Sequence, residues 1–442
     1  MTSKRGILKS KFERLISEYC RISLAKKDFI PGKSPVSASG KVFDEKELCS
    51  AVDAVLDCWW TEGRVTKQFE KKFNKFLGIK HTLVVNSGSS ANLIALATLT
   101  SPKLKERKLS SADEVITIAA GFPTTINPII QHGCIPVFCD INLETYNINT
   151  EQLKKAISAN TKAIFIAHTL GNPFNISEVK DFCRKYNLWL IEDCCDALGS
   201  EYRGQRVGIF GDLSTFSFYP AHHITMGEGG AVCTNSELLY KIARAFRDWG
   251  RDCWCGTGKD NTCGKRFGWQ VGELPKGYDH KYIYSEIGYN LKNTDLNVGI
   301  GLAQLNKLQR FIEIRRRNFK LLYEGLSKFK NYFYLPKAEP YSVPSWFGFM
   351  ITLRENCSFI RDDLIKFLND NKIGTRLLFS GNVTKQPYFI DNKIKYRTIS
   401  NLHNTNLVLN NGFWIGVYPG LTEEAIHYII EKFELFFRRR YS

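Results

Sequence analysis

Long hydrophobic runs are absent from this 442-residue chain. No uninterrupted apolar segment approaches the roughly 20 residues that a membrane-spanning helix needs. The basic N-terminal stretch also lacks the apolar core of a signal peptide, although its apolar residues recur at helical spacings. These absences argue against a membrane protein and against a secreted one. We therefore expect a cytoplasmic protein with no membrane partner.

The chain also lacks the signature of a nucleic-acid-binding module, although its formal net charge is +17 at pH 7. The lysines and arginines are spread along the sequence apart from a few short clusters, which is typical of a solvated surface. We therefore expect no nucleic-acid partner. The positive charge is also consistent with an acidic small-molecule substrate such as a nucleotide diphosphate.

Short apolar runs rich in valine and isoleucine alternate with helical segments along the chain. Strands are predicted at 81–87, 113–119, 135–141, 162–168, 188–193 and 215–219. This alternation predicts an α/β fold with a mainly parallel sheet covered by helices on both faces. From about residue 315 the sequence pattern changes and predicts a long basic helix followed by a mixed β/α segment. The expected organisation is an N-terminal helical segment (1–62), a large domain (63–314, with a cysteine-rich insertion at 250–275) and a small C-terminal α/β domain (315–442).

Polar residues stand where three of the predicted strands end. The first strand ends in Gly88, and Ser89 opens a helix whose exposed N–H groups form an anion site suited to a phosphate. Asp193 ends a buried strand. It is either a simple helix cap or a carboxylate that pairs with the protonated ring nitrogen of a pyridoxal cofactor. Phe122 follows another strand and is either a core residue or a ring that stacks on a flat ligand.

The segment SFYPAHHITMGEGGAV (217–232) lacks a lysine. A short strand, two adjacent histidines and a glycine-rich turn have the layout of the place where a pyridoxal enzyme keeps its cofactor-binding lysine. Ser217 and the glycine turn supply further hydrogen-bond donors. Imidazole cannot form the covalent link that an amine forms, but it is a good proton acceptor near neutral pH.

Thirteen cysteines in an apparently cytosolic chain argue against a disulfide framework and for metal or redox chemistry at some of them. The segment CWCGTGKDNTC arranges Cys253, Cys255 and Cys263 as C-x-C-x7-C, and Cys195 lies upstream of the first with 57 residues between them. Four thiolates suit an iron–sulfur cluster or a structural zinc. Spacing alone leaves both open, together with no metal at all.

The position of Cys195 favours a redox role. It stands two residues beyond Asp193, which is about 7 Å in an extended chain, so that a cluster anchored there would lie close to a cofactor ring. Cys194 is the competing fourth ligand, and the sequence leaves the choice open.

These motifs resemble those of a known family. From about Gly63 to the C-terminus the chain is similar to the sugar aminotransferase superfamily of fold type I pyridoxal enzymes, the DegT/DnrJ/EryC1/StrS group. The resemblance lies in FPTTINP, EDCCDALG, SFYPAHHITMGEGG and GYNLKNTDLNVGIGLAQL. In that family the third motif normally reads Ser-Phe-His followed by the lysine. Here Tyr219 replaces the histidine, and His222 takes the place of the lysine.

The resemblance implies an enzyme that holds pyridoxamine 5′-phosphate non-covalently. His222 would remove a proton from the cofactor so that a sugar hydroxyl leaves, which makes the reaction a dehydration. Two subgroups carry this histidine. The cysteine spacing resembles the one with a 2Fe–2S cluster, the CDP-4-keto-6-deoxyglucose 3-dehydrases, and the other, acting on GDP-linked sugars, lacks the array. The implied cluster ligands are Cys195, Cys253, Cys255 and Cys263.

The resemblance also implies a homodimer in which Asn290 reaches the neighbour's cofactor phosphate, and an NADH-dependent flavin/iron–sulfur reductase that delivers electrons. The product would feed 3,6-dideoxyhexoses of cell-surface lipopolysaccharide. Alternatives are a sugar aminotransferase or cluster-free dehydratase with structural zinc, and a non-catalytic binding protein derived from the fold. The remaining residues expected to contact the cofactor are Gly88, Ser89, Phe122, Asp193, Asp196 and Ser217.

Overall fold

The computed structural model describes residues 4–24 and 28–441. None of the helices in these ranges has the length and apolar character that a bilayer span requires. The strands are β1 (His81–Val85), β2 (Glu114–Ile118), β3 (Ile135–Cys139), β4 (Thr161–Ala167), β5 (Trp189–Asp193), β6 (Glu201–Tyr202), β7 (Gln205–Arg206), β8 (Leu213–Ser217), β9 (Gly230–Thr234), β10 (Phe333–Tyr334), β11 (Ser342–Val343), β12 (Gly348–Leu353), β13 (Thr375–Arg376), β14 (Arg397–Thr398) and β15 (Gly412–Gly416).

Helices alternate with these strands along most of the chain. They are α1 (Lys4–Ser23), α2 (Glu45–Leu56), α3 (Arg64–Leu77), α4 (Gly88–Leu99), α5 (Pro123–Gln131), α6 (Leu153–Ala156), α7 (Ile176–Tyr186), α8 (Glu237–Arg247), α9 (Asp295–Leu305), α10 (Leu308–Leu326), α11 (Arg361–Asp370), α12 (Pro387–Asp391), α13 (His403–Asn411) and α14 (Glu423–Tyr441). The α/β alternation predicted from the sequence is confirmed.

The largest sheet has eight strands in the order β1-β9-β8-β5-β4-β2-β3-β14. Its neighbours pair in parallel except that β9 runs antiparallel between β1 and β8. The carboxyl ends of the parallel strands therefore meet at one edge, where α/β sheets bind ligands. The strand predicted at 215–219 ends earlier, at Ser217. Beyond it, the Phe218 N–H still donates to the Gly229 carbonyl, and His222 N then donates to the Tyr219 carbonyl in a turn.

Alternate side chains of the large sheet enter two separate cores, one on each face. In β1, Val84 packs into one core, while Leu83 and Val85 pack into the other. On the first face α3 contributes Phe69 and Phe73 to an aromatic cluster. Burial of large apolar side chains stabilises such a layer by roughly 1.5–3 kcal/mol each. This two-sided burial explains the continuous apolar runs in the sequence.

The C-terminal part builds a second, antiparallel sheet of four strands in the order β10-β12-β15-β13. Its aromatic core includes Phe319 of α10 stacked on Trp346 with 3.8 Å between ring centroids. Val36 from the N-terminal segment joins this core, whereas β14 pairs with β3 in the large sheet. The expected domain boundaries at 62/63 and 314/315 stay a prediction.

The segment between α8 and α9 contains the cysteine-rich insertion. Within the described chain it holds a single short 3₁₀ turn, His280–Tyr282, and isolated bridges at Asp248 and Arg251. Arg244 of α8 holds it by donating to the carbonyls of Trp254 and Cys255, both at 2.8 Å. The insertion is therefore fixed by side-chain contacts to its surroundings.

Candidate active site

A cavity of about 580 Å³ opens at the carboxyl edge of the large sheet. The C-terminal part closes it with Phe347, Arg376, Phe379 and Trp414. The fold thus brings together residues that are distant in sequence. The predicted residues that line this cavity are Gly88, Ser89, Phe122, Asp193, Cys195, Asp196, Ser217, Tyr219 and His222.

The turn between β1 and α4 forms one wall of the cavity. Ser87 caps α4, and its Oγ accepts a hydrogen bond from Ser90 N at 3.0 Å. A Cβ atom on Gly88 would stand 2.4 Å from the Cβ of Ser217, so that only glycine lets the turn approach β8. Ser89 Oγ donates to Thr124 Oγ1 at 3.3 Å. The positive end of α4 faces a space suited to an anion.

Asp193 is held rigidly at the end of β5. Its Oδ2 accepts from Asn92 Nδ2 at 2.9 Å and from Thr125 Oγ1 at 2.7 Å, and its Oδ1 accepts from Cys195 N at 3.0 Å. The side chain is buried and still borders the cavity. These donors fix a carboxylate where it can receive a proton-bearing ring nitrogen.

His222 lies beside Asp196, with 3.5 Å between its Nδ1 and Asp196 Oδ1. Nδ1 is buried and has no hydrogen-bond partner. Burial lowers the pKa of His222 to about 4, although the charge of Asp193 opposes this. Burial, together with the charge of Asp193, raises the pKa of Asp196 to about 8. At neutral pH the site therefore holds an uncharged imidazole next to an uncharged carboxyl.

Arg315 holds the backbone of the His222 segment. Its guanidinium donates to the His222 carbonyl at 3.2 Å and to the carbonyls of Trp346 and Phe347 at 3.1 and 3.3 Å. The ring of His222 also packs at 5.2 Å from that of Phe347. The imidazole is thus oriented by residues of the C-terminal part.

Two aromatic side chains stand at the mouth of the cavity. Tyr219 and Phe122 are each about half exposed, and Phe122 meets Phe379 edge to face at 5.6 Å. Ser217 lies deeper, and its Oγ accepts from Tyr219 N at 3.4 Å. Both rings are free to contact a ligand that enters the cavity.

Sequence reasoning missed residues that support Asp193. Asn92 and Thr125 donate to it, and Asn92 also accepts from Thr215 Oγ1 at 2.6 Å. A signal for Asn92 was present, because it is a polar residue in an otherwise apolar helix. Glu228 and Arg376 also line the cavity, and nothing in the sequence pattern pointed to them.

Asn290 is exposed and is not among the residues that line this cavity. Its backbone pairs with Asp248, and its Oδ1 accepts from Lys292 Nζ at 2.8 Å. Its expected contact with a neighbour's cofactor phosphate stays a prediction.

The structure brings three of the four predicted metal ligands together. Cys253, Cys255 and Cys263 line a small second cavity in the insertion, whereas Cys195 lines the first cavity. Burial raises the pKa of the Cys255 thiol, but hydrogen bonds from Thr262 outweigh it and leave the pKa below its usual value. Burial raises the pKa of Cys195 well above its usual value. Cys194 is completely buried in the core.

A further group of potential metal ligands lies inside the large domain. Within residues 4–24 and 28–441, His168, Glu192 and Cys194 alone place three such ligand atoms within 4.8 Å of one another. Glu192 already accepts from the N–H groups of Gly208, Phe210 and Gly211 and meets His168 Nε2 at 3.1 Å. This is a satisfied hydrogen-bond network of the core.

Comparison with known proteins gives consistent matches. A model of the DegT/DnrJ/EryC1/StrS aminotransferase family matches residues 43–434. The chain is 57% identical to the lipopolysaccharide biosynthesis protein RfbH of Salmonella typhimurium over 97% of this chain and 98% of that protein. It is 51% identical to the dTDP-4-dehydro-2,6-dideoxy-D-glucose 3-dehydratase of Saccharopolyspora spinosa, over 91% and 87% of the two chains.

Solved structures agree with the sequence matches. The E. coli GDP-4-keto-6-deoxy-D-mannose-3-dehydratase with bound hydrated PLP superposes with a TM-score of 0.81 at 30% identity, over 90% of this chain and 98% of that chain. The predictions of a fold type I pyridoxal-phosphate-dependent enzyme and of its α/β architecture are thereby confirmed.

Proposed function

Because the chain belongs to the DegT/DnrJ/EryC1/StrS aminotransferase family, we propose that it is a pyridoxamine-phosphate-dependent 3-dehydratase of a CDP-linked 4-keto-6-deoxy sugar. The observation that carries the proposal is His222, a largely buried, uncharged imidazole in the cavity where the family pattern has its lysine. An imidazole supports proton removal but not a covalent bond to the cofactor. The reaction it favours is therefore dehydration.

The residues of the cavity fit pyridoxamine phosphate. The N-terminus of α4 with Gly88 and Ser89 would hold the phosphate, and Asp193 would pair with the ring nitrogen. Ser217 supplies a hydroxyl at the same edge of the sheet, and Phe122 offers a ring to the cofactor face. The unpartnered Nδ1 of His222 is the kind of orphaned buried atom that a bound ligand explains.

When bound, the cofactor supplies an amine for a sugar ketone and an electron sink for the resulting charge. His222 accepts a proton on its imidazole, because its lowered pKa keeps it uncharged at neutral pH. The carbonyl contacts of Arg315 keep the imidazole segment in place during this transfer. The C-terminal part shields the proton transfer from water with Phe347 and Trp414.

Electron delivery is the second part of the proposal. The thiols of the insertion, with donors aimed at Cys255 and Cys263, have the chemistry of a 2Fe–2S site, which would pass single electrons from an NADH-dependent flavin/iron–sulfur reductase. Cys195, the expected fourth ligand, lines the first cavity, whereas the other three cysteines line the second.

The names of the relatives support a 3-dehydratase but do not specify CDP as the nucleotide. One is named a 3-dehydratase of a dTDP-linked sugar, others act on a GDP-linked sugar by name, and the 57% identical RfbH is named for lipopolysaccharide biosynthesis. A 3-dehydratase in dideoxysugar and lipopolysaccharide biosynthesis agrees with these names. The CDP nucleotide, a cytoplasmic location and an active homodimer are parts of the proposal.

The test uses the purified protein loaded with pyridoxamine phosphate. CDP-, dTDP- and GDP-linked 4-keto-6-deoxy sugars are supplied in turn, and loss of the C3 oxygen is followed by mass spectrometry in ¹⁸O-labelled water. We expect exchange at C3 to be fastest with the CDP sugar. Exchange only with another nucleotide would correct the substrate, and amino-sugar formation without exchange would establish an aminotransferase instead.

A further inference from the structure

Helix α1 carries a stripe of exposed apolar side chains. The helix packs on α2, and within Lys4–Ser23 Cys20 alone is buried. The stripe consists of large apolar residues that are between 47% and 70% exposed, namely Leu8, Phe12, Leu15, Tyr19 and Ile22. Single exposed apolar residues are common on protein surfaces, whereas a continuous row of them marks an interaction site.

The spacing of the stripe is that of a coiled-coil seam. Its members follow one another at intervals of four, three, four and three residues, which places them at the a and d positions of a heptad repeat. The a positions are Phe12 and Tyr19, and the d positions are Leu8, Leu15 and Ile22. A seam confined to a and d positions fits a second helix, whereas a membrane surface takes a wider apolar face.

Charged residues border the stripe. Lys4, Lys11 and Glu18 occupy the g positions along one side of it, and all three are exposed. On the other side Lys9 forms an ion pair with Asp53 of α2 and is therefore already engaged. The charges that α1 offers to a partner helix thus lie along the g side.

The seam of α1 is complementary to a second copy of itself in the antiparallel direction. Phe12 of each copy then lies opposite Leu15 of the other, and Leu8 lies opposite Tyr19. Every layer therefore joins one a position to one d position, and the four layers are filled with apolar side chains. The arrangement has a twofold axis, which is the commonest symmetry of protein assemblies.

The g-side charges select the same direction. In the antiparallel pair the g positions of the two copies face each other, so that Lys11 of each copy meets Glu18 of the other. In a parallel pair Lys11 would face Ile16 instead and would lose this partner. Charges beside a coiled-coil seam set partner choice and orientation in this way.

The apolar surface continues onto the end of α2. Val55 and Leu56 are exposed there, and Arg5 of α1 donates to the Leu56 carbonyl at 3.5 Å. Arg5 stands seven residues before Phe12, so that it lies opposite Ile22 of the other copy in the antiparallel pair. Pairing would therefore bring Ile22 to this end of α2 and cover both.

We propose that α1 pairs with α1 of a second copy of this chain as an antiparallel two-helix contact. The helix precedes residues 43–434, which the family model matches, so that the contact is an addition to the common fold of the family. It is a different contact from the one expected at Asn290. It also stands apart from the proposed function, because none of its residues lines the cofactor cavity.

The experiment measures the assembled mass of the full-length protein by sedimentation velocity over a range of concentrations. Leu15→Glu places a charge at the centre of the seam and should lower the assembled mass at every concentration. Ile390→Glu is the matched control, because it makes the same kind of change at an exposed apolar residue outside α1. Circular dichroism and pyridoxamine phosphate binding show whether each variant is folded.

Charge exchange tests the register of the pair. Lys11→Glu and Glu18→Lys each place like charges opposite each other and should weaken the association by about tenfold. The double variant Lys11→Glu/Glu18→Lys should associate as the wild type does. An equimolar mixture of the two single variants should do so as well, because each carries the charges that the other lacks. Lys71→Glu, an exposed charge reversal on α3, is the control.

Unchanged association of Leu15→Glu, a double variant as weak as the single ones, or a wild type that stays monomeric would overturn the pairing. The charge variants decide the matter if Leu15→Glu is not folded, because they alter exposed side chains alone. Binding to phosphatidylglycerol vesicles that Leu15→Glu abolishes without a change in assembled mass would assign the stripe to a membrane surface and refute the pairing.

Discussion

The cofactor cavity and the cysteine-rich insertion are built by different means. The cavity gathers residues from strand ends and helix starts, and each functional side chain is fixed by backbone or buried polar groups, as Asp193 is by three donors. The insertion has almost no regular secondary structure, and its thiols are only half buried. The fold itself organises the cavity in advance. The geometry of the insertion depends on side-chain contacts, so that a bound metal would contribute directly to its stability.

This difference makes the two regions separable. A change in the cavity should stop C3–O cleavage and leave the metal in place, whereas a change in the insertion should do the reverse. The variants below test that separation, in decreasing order of their effect on C3–O cleavage.

Replacing His222 by Asn should have the largest effect. Loss of the proton acceptor should slow C3–O cleavage by about 10²–10⁴-fold, with iron content and cofactor binding unchanged. The rate of ¹⁸O exchange at C3 measures it, and the exposed His403→Asn serves as the control. Near-normal exchange would remove His222 from the reaction.

Replacing His222 by Lys should slow dehydration to a similar or smaller extent and restore a covalent bond to pyridoxal phosphate, because an amine again faces the cofactor. Borohydride reduction followed by mass spectrometry of the 217–232 peptide detects the bond. The double variant with Tyr219→His repeats the pairing of the family motif. Absence of a trapped cofactor in both would show that this segment is aligned wrongly with the family.

Asp193→Asn should slow C3–O cleavage by roughly 10- to 100-fold, the cost of about 1.5–3 kcal/mol for a lost charge-assisted hydrogen bond. Pyridoxamine phosphate affinity should fall much less, because α4 still holds the phosphate. Rate and affinity are measured separately, with the exposed Asp181→Asn as the control. Equal losses in both would assign Asp193 a structural role.

Asp196 should set the alkaline limit of the reaction. The rate should fall below about pH 4 as His222 is protonated. It should fall again above about pH 8, where the ionised Asp196 accepts a hydrogen bond from an Nδ1–H group and so removes the Nδ1 lone pair that would accept the proton in the reaction. Asp196→Asn should remove the alkaline limb, with a change of less than about tenfold at pH 7, roughly one pKa unit of interaction.

The raised pKa of Asp196 also has a stability consequence. Its folded-state pKa lies above the unfolded value, so the stabilising proton is lost as the pH rises towards 8. The thermal midpoint of the wild type should fall progressively from about pH 4 to about pH 8 relative to Asp196→Asn, and level off above pH 8. An alkaline limb that persists in the variant would assign it to another group.

Cys253→Ala should have the smallest effect on C3–O cleavage and the largest on colour. The protein should lose its iron, and 3-deoxy product should no longer form with NADH and reductase. Oxygen exchange at C3 should continue, with Cys357→Ala as the control. Loss of exchange in a folded variant would show that the cavity and the insertion are coupled and therefore not separable.

The sequence predicted the cavity better than the insertion, for a physical reason. Apolar runs that end in Gly88, Asp193 and Ser217 mark parallel strand ends, and parallel topology brings those ends to one edge. Asn92 and Thr125 were missed because support of a carboxylate depends on tertiary contacts between helices.

The metal ligands are harder to predict because spacing along the chain does not encode which cavity a loop lines. Cys195 stands near the cavity as its distance from Asp193 implied, but the insertion lies elsewhere.

The hydrogen bonds of Arg315 restrict the relative movement of the large sheet and the C-terminal part. Because one guanidinium ties the His222 carbonyl to those of Trp346 and Phe347, the strand-to-turn segment of the large sheet and the entrance to β12 are fastened at a single point. Breaking these bonds would leave buried carbonyls without donors, at about 1–3 kcal/mol each. The large sheet and the C-terminal part therefore cannot separate without displacing the imidazole of His222. Admission of a bulky substrate therefore falls to the side chains at the mouth of the cavity.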